Sequence, residues 1–173
     1  MSFLFSQLAV DELVVPPSGS EAGRRVVTAK GWNRVAQLQR ERDRIGSRQA
    51  FVAMSFSPAL VEVYDNGIKK GVEAAGYDPR IVRELEHTGR VDDLIIAEIR
   101  RSRFVVADFT DHRQSVYYEA GFAHGLGIPV IFTCREDQVA QAHFDTRQYT
   151  HIVWDAPERL AQRLEQRIKA LIV

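Results

Sequence analysis

From Gln49 onward the chain alternates short apolar runs with longer stretches of helical periodicity, and this alternation constrains the fold more than any other feature. The apolar runs are AFVAMSF (50–56), a shorter candidate at 80–82 within DPRIVRE, RFVVADF (103–109), PVIFTC (129–134) and HIVW (151–154). Runs that are apolar throughout suit strands buried on both faces. Between them, residues 58–75 place Val61, Tyr64, Ile68, Val72 and Ala75 on one helical face, with Pro58 in the first turn and Gly76 at the stop. Residues 91–102, 115–125 and 157–172 read as three further helices.

Strands alternating with helices pair in parallel through right-handed crossovers. The expected class is therefore α/β: a flavodoxin- or Rossmann-like, doubly wound, parallel five-stranded sheet of order 2-1-3-4-5, with a short N-terminal extension. Such a sheet binds ligands beyond the carboxyl ends of its strands, at the switch point between strands 1 and 3. That rule directs attention to residues 54–56, to 107–111 and to the loop after Cys134.

Composition changes near residue 48. Residues 1–48 hold the loop signal PPSGSEAG and then VVTAKGWNRVAQLQRERDR, where Thr28 is placed to cap a helix with Trp32, Val35 and Leu38 on one stripe. VVTAKGWNRV resembles the last strand and helix of a winged-helix unit, but the extension is too short for a whole one. It reads as a remnant of a larger architecture or as a dimerisation arm. The expected organisation is 1–48 as extension and 49–173 as the α/β domain.

Lys plus Arg number 23 and Asp plus Glu number 23, so the formal net charge is zero, and no general attraction to nucleic acid or to an anionic membrane is expected. The single cysteine, Cys134, excludes an internal disulfide and fits a reducing cytosol; in its apolar run it reads as a small buried side chain. No run approaches the roughly 20 apolar residues of a membrane span, and MSFLFSQLAV is a poor signal peptide, so a cytoplasmic location is expected. No CxxC or HExxH occurs, and His143 and His151 make no metal spacing with a cysteine. GLG at 125–127 is not GxGxxG, and no P-loop is present. Neither a metal nor a cofactor is expected.

The segment DFTDHRQSVYYEAGFAHGLGIPVIF (108–132) carries the most chemistry. A strand ends at Asp108, a polar loop holds Thr110, Asp111, His112 and Arg113, and a helix then carries Glu119 near its first turn. The helix dipole would favour the Glu119 anion there, whereas the flanking Tyr118 and Phe122 would desolvate it. A carboxylate balanced in this way serves as a nucleophile or as a stabiliser of an oxocarbenium ion; a plain capping role fits the same position. Gly121 and Gly125 are expected to thin the helix against the sheet. His124 falls a turn and a residue beyond Glu119, either near the same face or on the surface. In AHFDTRQY (142–149), Arg147 is a candidate phosphate contact, or else pairs with Asp145 within its own loop.

SVYYEAGFAHGLGIPVIF resembles the helix that bears the catalytic glutamate in the nucleoside 2-deoxyribosyltransferase superfamily. The resemblance runs through Tyr118, Glu119, Ala120, Gly121, Phe122 and Ala123, then through Gly127, Ile128, Pro129 and Val130. The run ending Met54, Ser55 and Phe56 is similar to the family's substrate loop after strand 1, and RFVVADF to its central strand. Together these cover about residues 50–154. The resemblance implies cleavage or transfer at an N-glycosidic bond, with Glu119 at the anomeric carbon, an aspartate protonating the departing base, and water or a second base resolving the intermediate. It also implies a nucleoside or nucleotide as the small-molecule partner and a homo-oligomer whose neighbouring subunit completes the pocket. The chain departs from the pattern where Ser115 and Tyr117 stand in place of glycines; Ser115 offers a hydroxyl and an N–H to a phosphate. The family's usual acid position falls on Ile95, with Asp92 and Asp93 nearly a turn earlier, which leaves Asp108 and Asp111 as acid candidates.

Two other readings compete. A TIR-like domain shares the general plan and a helix-borne glutamate, and cleaves NAD. A non-catalytic nucleotide sensor in bacterial signalling or defence would bind without turnover.

Overall fold

The computed structural model describes residues 8, 11–15, 26–82 and 91–172. The chain divides into two compact units, Met1–Ile45 and Gly46–Val173. In the first, β1 (Val14–Val15) pairs antiparallel with β2 (Val26–Val27), and α1 (Ala29–Ile45) follows. Thr28 caps α1: its Oγ1 accepts the Gly31 N–H at 3.0 Å and donates to the Glu12 carbonyl at 2.7 Å. Trp32, Val35 and Leu38 are all exposed on α1.

The second unit is built on five parallel strands: β3 (Gln49–Ala53), β4 (Asp78–Arg80), β5 (Phe104–Asp108), β6 (Val130–Arg135) and β7 (His151–Trp154). Their order is β4-β3-β5-β6-β7, which counted from β3 is 2-1-3-4-5. The winding reverses between β3 and β5. Ala53 is in register with Ala107, and Asp108 with Thr133, so the carboxyl ends of β3, β5 and β6 lie side by side.

The second strand lies slightly earlier than the sequence suggested, at 78–80 and not 80–82. Ile81 and Val82 are buried in the cores on opposite faces of the sheet, so their apolar character reflects burial beyond the strand and not ladder pairing. Asp78 donates its N–H inward to the Arg48 carbonyl at 2.7 Å. The next residue, Pro79, therefore has its missing N–H on the open side of this edge strand, where no ladder bond is lost.

Helices cover both faces. The first crossover is composite: a 3₁₀ turn at Pro58–Leu60, a π-helical stretch at Val63–Lys69 and α2 (Lys70–Ala74). Then come α3 (Val91–Arg101), α4 (Gln114–Gly125), a 3₁₀ segment at Glu136–Gln141, α5 (Phe144–Arg147) and α6 (Pro157–Leu171). On one face, Val52, Val106 and Ile152 pack with Ile68 of the composite helix and Leu164 of α6. The spacing of four between Leu160, Leu164 and Ile168 gives α6 its buried stripe, each side chain contributing about 1.5–3 kcal/mol. A Cβ at Gly71 would stand 2.6 Å from the Ala161 carbonyl oxygen, so glycine is what lets the composite helix lie against α6. On the other face, Phe51, Val105 and Ala107 pack beneath Ile99 of α3 and Val116, Ala120 and Ala123 of α4. Among the described residues no helix is long and apolar enough to cross a membrane.

Candidate functional site

At the switch point, the end of β3 and the start of α4 enclose a pocket of about 460 Å3. Met54, Ser55 and Phe56 come from the chain after β3, and Arg113, Ser115 and Glu119 from the entry to α4 and its first turns. Ser115 and Glu119 are four residues apart, so they share one face of the helix. Val82 and Ile95 close the apolar side. Met54 and Ser55 are buried, whereas Phe56 is 53% exposed at the mouth.

Glu119 is only 8% exposed, and its carboxyl has no hydrogen-bond partner or ion pair among the described residues. Burial alone pushes its pKa up to about 7. The helix dipole gives it little support: α4 begins at Gln114, so Glu119 stands in the second turn and not near the first, and the dipole's effect falls off within a turn. The Ser57 hydroxyl also lines the pocket and faces the Asp111 carboxylate. Ile95 occupies the wall where the expected family pattern has an acid.

Several expected site residues are not part of the pocket lining. Asp108 is buried at the end of β5, 2% exposed, and receives hydrogen bonds from the Thr133 hydroxyl (2.6 Å), the Trp154 indole (3.1 Å) and the Thr110 N–H (3.1 Å). Burial pushes its pKa up, and these donors pull against that push. Asp108 is thus a brace at the strand ends. Asp111 is exposed beside the pocket, and its pKa is held below the ordinary value first by the Ser55 hydroxyl and then by that of Ser57, both on the pocket wall, with Arg113 and Arg135 adding to the pull. An aspartate held as the anion has no proton to give a departing base. Tyr118 is 62% exposed and stacks on Phe122, outside the pocket. Arg147 is spent on its own loop: Nε donates to the Ala142 carbonyl at 2.8 Å and the guanidinium also to that of Ala140 at 2.6 Å. Asp145 pairs with His143 and not with Arg147. His124 turns away from Glu119 and meets Tyr149 edge-on.

Gly121 and Gly125 do not thin α4 against the sheet. A Cβ at either would meet nothing within 4 Å, because both face outward. The sequence reading gave no role to Arg113, Ser57 and Val82. Arg113 carried a signal, as a basic residue immediately before a helix that follows a strand end; Ser57, just before Pro58 at a helix start, carried a weaker one.

No protein-family model matches this chain, and no curated protein matches it. Among solved structures it is similar to a 2-desoxiribosyltransferase from Leishmania mexicana, at 22% identity and a TM-score of 0.41, over 50% of this chain and 63% of that one.

Proposed function

We propose that this chain cleaves or transfers at the N-glycosidic bond of a nucleoside or nucleotide, with Glu119 acting at the anomeric carbon. The observation that carries the reading is the buried, partnerless carboxyl of Glu119 on the wall of a switch-point pocket. The resemblance of the segment around Glu119 to the glutamate-bearing helix of the nucleoside 2-deoxyribosyltransferases supports it.

In the forward step the ionised carboxylate bonds to the anomeric carbon, or stabilises it as an oxocarbenium ion, while the bond from that carbon to the base nitrogen breaks. The electron pair leaves with the base. Among the described residues Asp108 is sealed and Asp111 is held as the anion, so in this reading the base takes its proton from water. Water or a second base then attacks the anomeric carbon and frees Glu119. Arg113, the Ser115 hydroxyl and the N–H groups of the α4 start form the cationic corner of the pocket, suited to a phosphate on the sugar. A nucleoside monophosphate is therefore the favoured substrate class.

The test is mass-spectrometric detection of free base after incubating wild type and Glu119→Gln with pooled nucleosides, nucleoside monophosphates and NAD. Base released by wild type and lost in the variant supports the reading, and the consumed pool names the substrate. Release of nicotinamide alone would select the TIR-like alternative. No release from any pool by folded protein would select a binding domain without turnover.

A further inference from the structure

Helix α4 borders a second pocket. Tyr117, Ala120, Gly121 and His124 recur at spacings of three and four and line a separate pocket of about 650 Å3, away from Ser115 and Glu119. This volume lies in the range of small-molecule sites, and the lining is mainly aromatic and apolar. Phe132 and Tyr149 stack with centroids 4.8 Å apart and rings 1° from parallel. His124 meets Tyr149 edge-on at 5.6 Å.

One wall is fixed by a hydrogen-bond chain whose direction follows from its ends. The Gln138 carbonyl only accepts, so His112 Nε2 carries a proton and donates to it at 3.2 Å. His112 Nδ1 then accepts from the Tyr117 hydroxyl at 3.2 Å, and the Tyr117 oxygen accepts the His143 N–H, also at 3.2 Å. The chain links the loop before α4, α4 itself and the segment before α5, so these walls hold their shape without a ligand. The Gln141 amide on the rim has no partner among the described residues. An amide of this kind both donates and accepts, matching the edge of a nucleobase.

Gly121 is the second, independent observation. It is exposed, lies inside a helix, has no positive φ, and has nothing within 4 Å of where a Cβ would stand. Glycine there costs the helix about 1 kcal/mol relative to alanine, with no intramolecular contact to justify it. The space it leaves opens on the pocket. No lysine or arginine is among the lining residues, while Asp145 is, so the site suits a neutral ligand and disfavours a phosphate.

We infer that this pocket is a second ligand site, for an uncharged planar heteroaromatic group such as a nucleobase or an unphosphorylated nucleoside. The site is independent of the reaction proposed for Glu119. The test is an NMR titration of isotope-labelled Glu119→Gln protein, which consumes nothing, with adenosine, uridine and adenosine monophosphate as probes. Adenosine or uridine is expected to shift the amide signals of Gly121, His124 and Tyr149 saturably, and the monophosphate to act more weakly there. Gly121→Leu, which fills the space and favours the helix, is expected to weaken these shifts by about tenfold or more while leaving responses at Ser55 and Ser115 in place. The proposal is overturned if millimolar nucleoside leaves Gly121, His124 and Tyr149 unmoved, if Gly121→Leu has no effect, or if the monophosphate binds there as well as adenosine. It is also overturned if the signals respond to protein concentration and not to nucleoside, because a second copy of the chain then fills the groove. A failed base-release assay leaves all of these outcomes readable.

Discussion

Thr133 on β6 donates its hydroxyl to Asp108 Oδ2 at 2.6 Å, and the indole N–H of Trp154 on β7 reaches the same oxygen at 3.1 Å. One carboxylate at the end of β5 therefore ties together three neighbouring strands beside the Glu119 pocket. Asp108→Ala leaves these donors and the Thr110 N–H buried and unpaired. Each such group costs about 1–3 kcal/mol, so the variant is expected to lose about 3 kcal/mol or more, read from the midpoint of urea unfolding. An unchanged midpoint would show that the clamp does not hold the strand ends.

Glu119 sets activity against stability. Its pKa in the folded chain is about 7 against an ordinary 4.5. Between those values the folded chain keeps a proton that the unfolded chain has released, so stability falls as pH rises through the window, and the full penalty stands above it. Glu119→Gln is expected to raise stability by about 2–3 kcal/mol at about pH 8 and to leave it unchanged near pH 4, in thermal melts at each pH. Base release by wild type should rise with pH and level off above about 7, as the carboxylate ionises. A pH–rate profile that is flat across neutrality would count against the ionised carboxylate as the reacting form.

Two glycines on helices should respond to alanine in opposite directions. At Gly71 the new Cβ meets the Ala161 carbonyl at 2.6 Å and the Leu164 Cβ at 2.9 Å, so Gly71→Ala is expected to cost about 1–3 kcal/mol by pushing α6 away. At Gly121 the methyl meets nothing, and Gly121→Ala is expected to gain about 0.5–1 kcal/mol from helix propensity. Denaturant midpoints moving the same way in both variants would contradict this placement.

Cys134 is buried, and its thiol is pushed up to about 12, first by desolvation and then by the charges of Asp108 and Asp137. The thiolate is the reactive form. At about pH 8 the native protein should therefore resist an alkylating agent that modifies it at once in urea. Rapid labelling of native protein would show that the β6 core opens.

The sheet order was legible because parallel strands buried on both faces read as apolar runs, and the crossover rule leaves few ways to connect them. The place of Glu119 on the pocket wall fits the attention the sequence drew to it, and the Thr28 cap was legible from its position one turn before an apolar stripe. What escaped depended on direction. Nothing along the sequence tells that Asp108 points down into Thr133 and Trp154, or that Arg147 curls back on its own loop. Nor does it tell that Gly121 faces outward while Gly71 faces a neighbouring helix. The strand Val14–Val15 is too short to show a period, so its pairing with Val26–Val27 could not be read along the sequence.

Pro79 on the outer strand has a consequence for how this chain behaves in crowded solution. With no net charge, molecules of the chain do not repel one another at long range, so the open sides of the sheet need local protection against cross-chain pairing. On one side, β4 is three residues long and offers no outward N–H at Pro79. On the other, the Arg163 guanidinium already occupies the Val153 carbonyl of β7. A foreign strand approaching either border finds the first rung of the ladder missing or already taken.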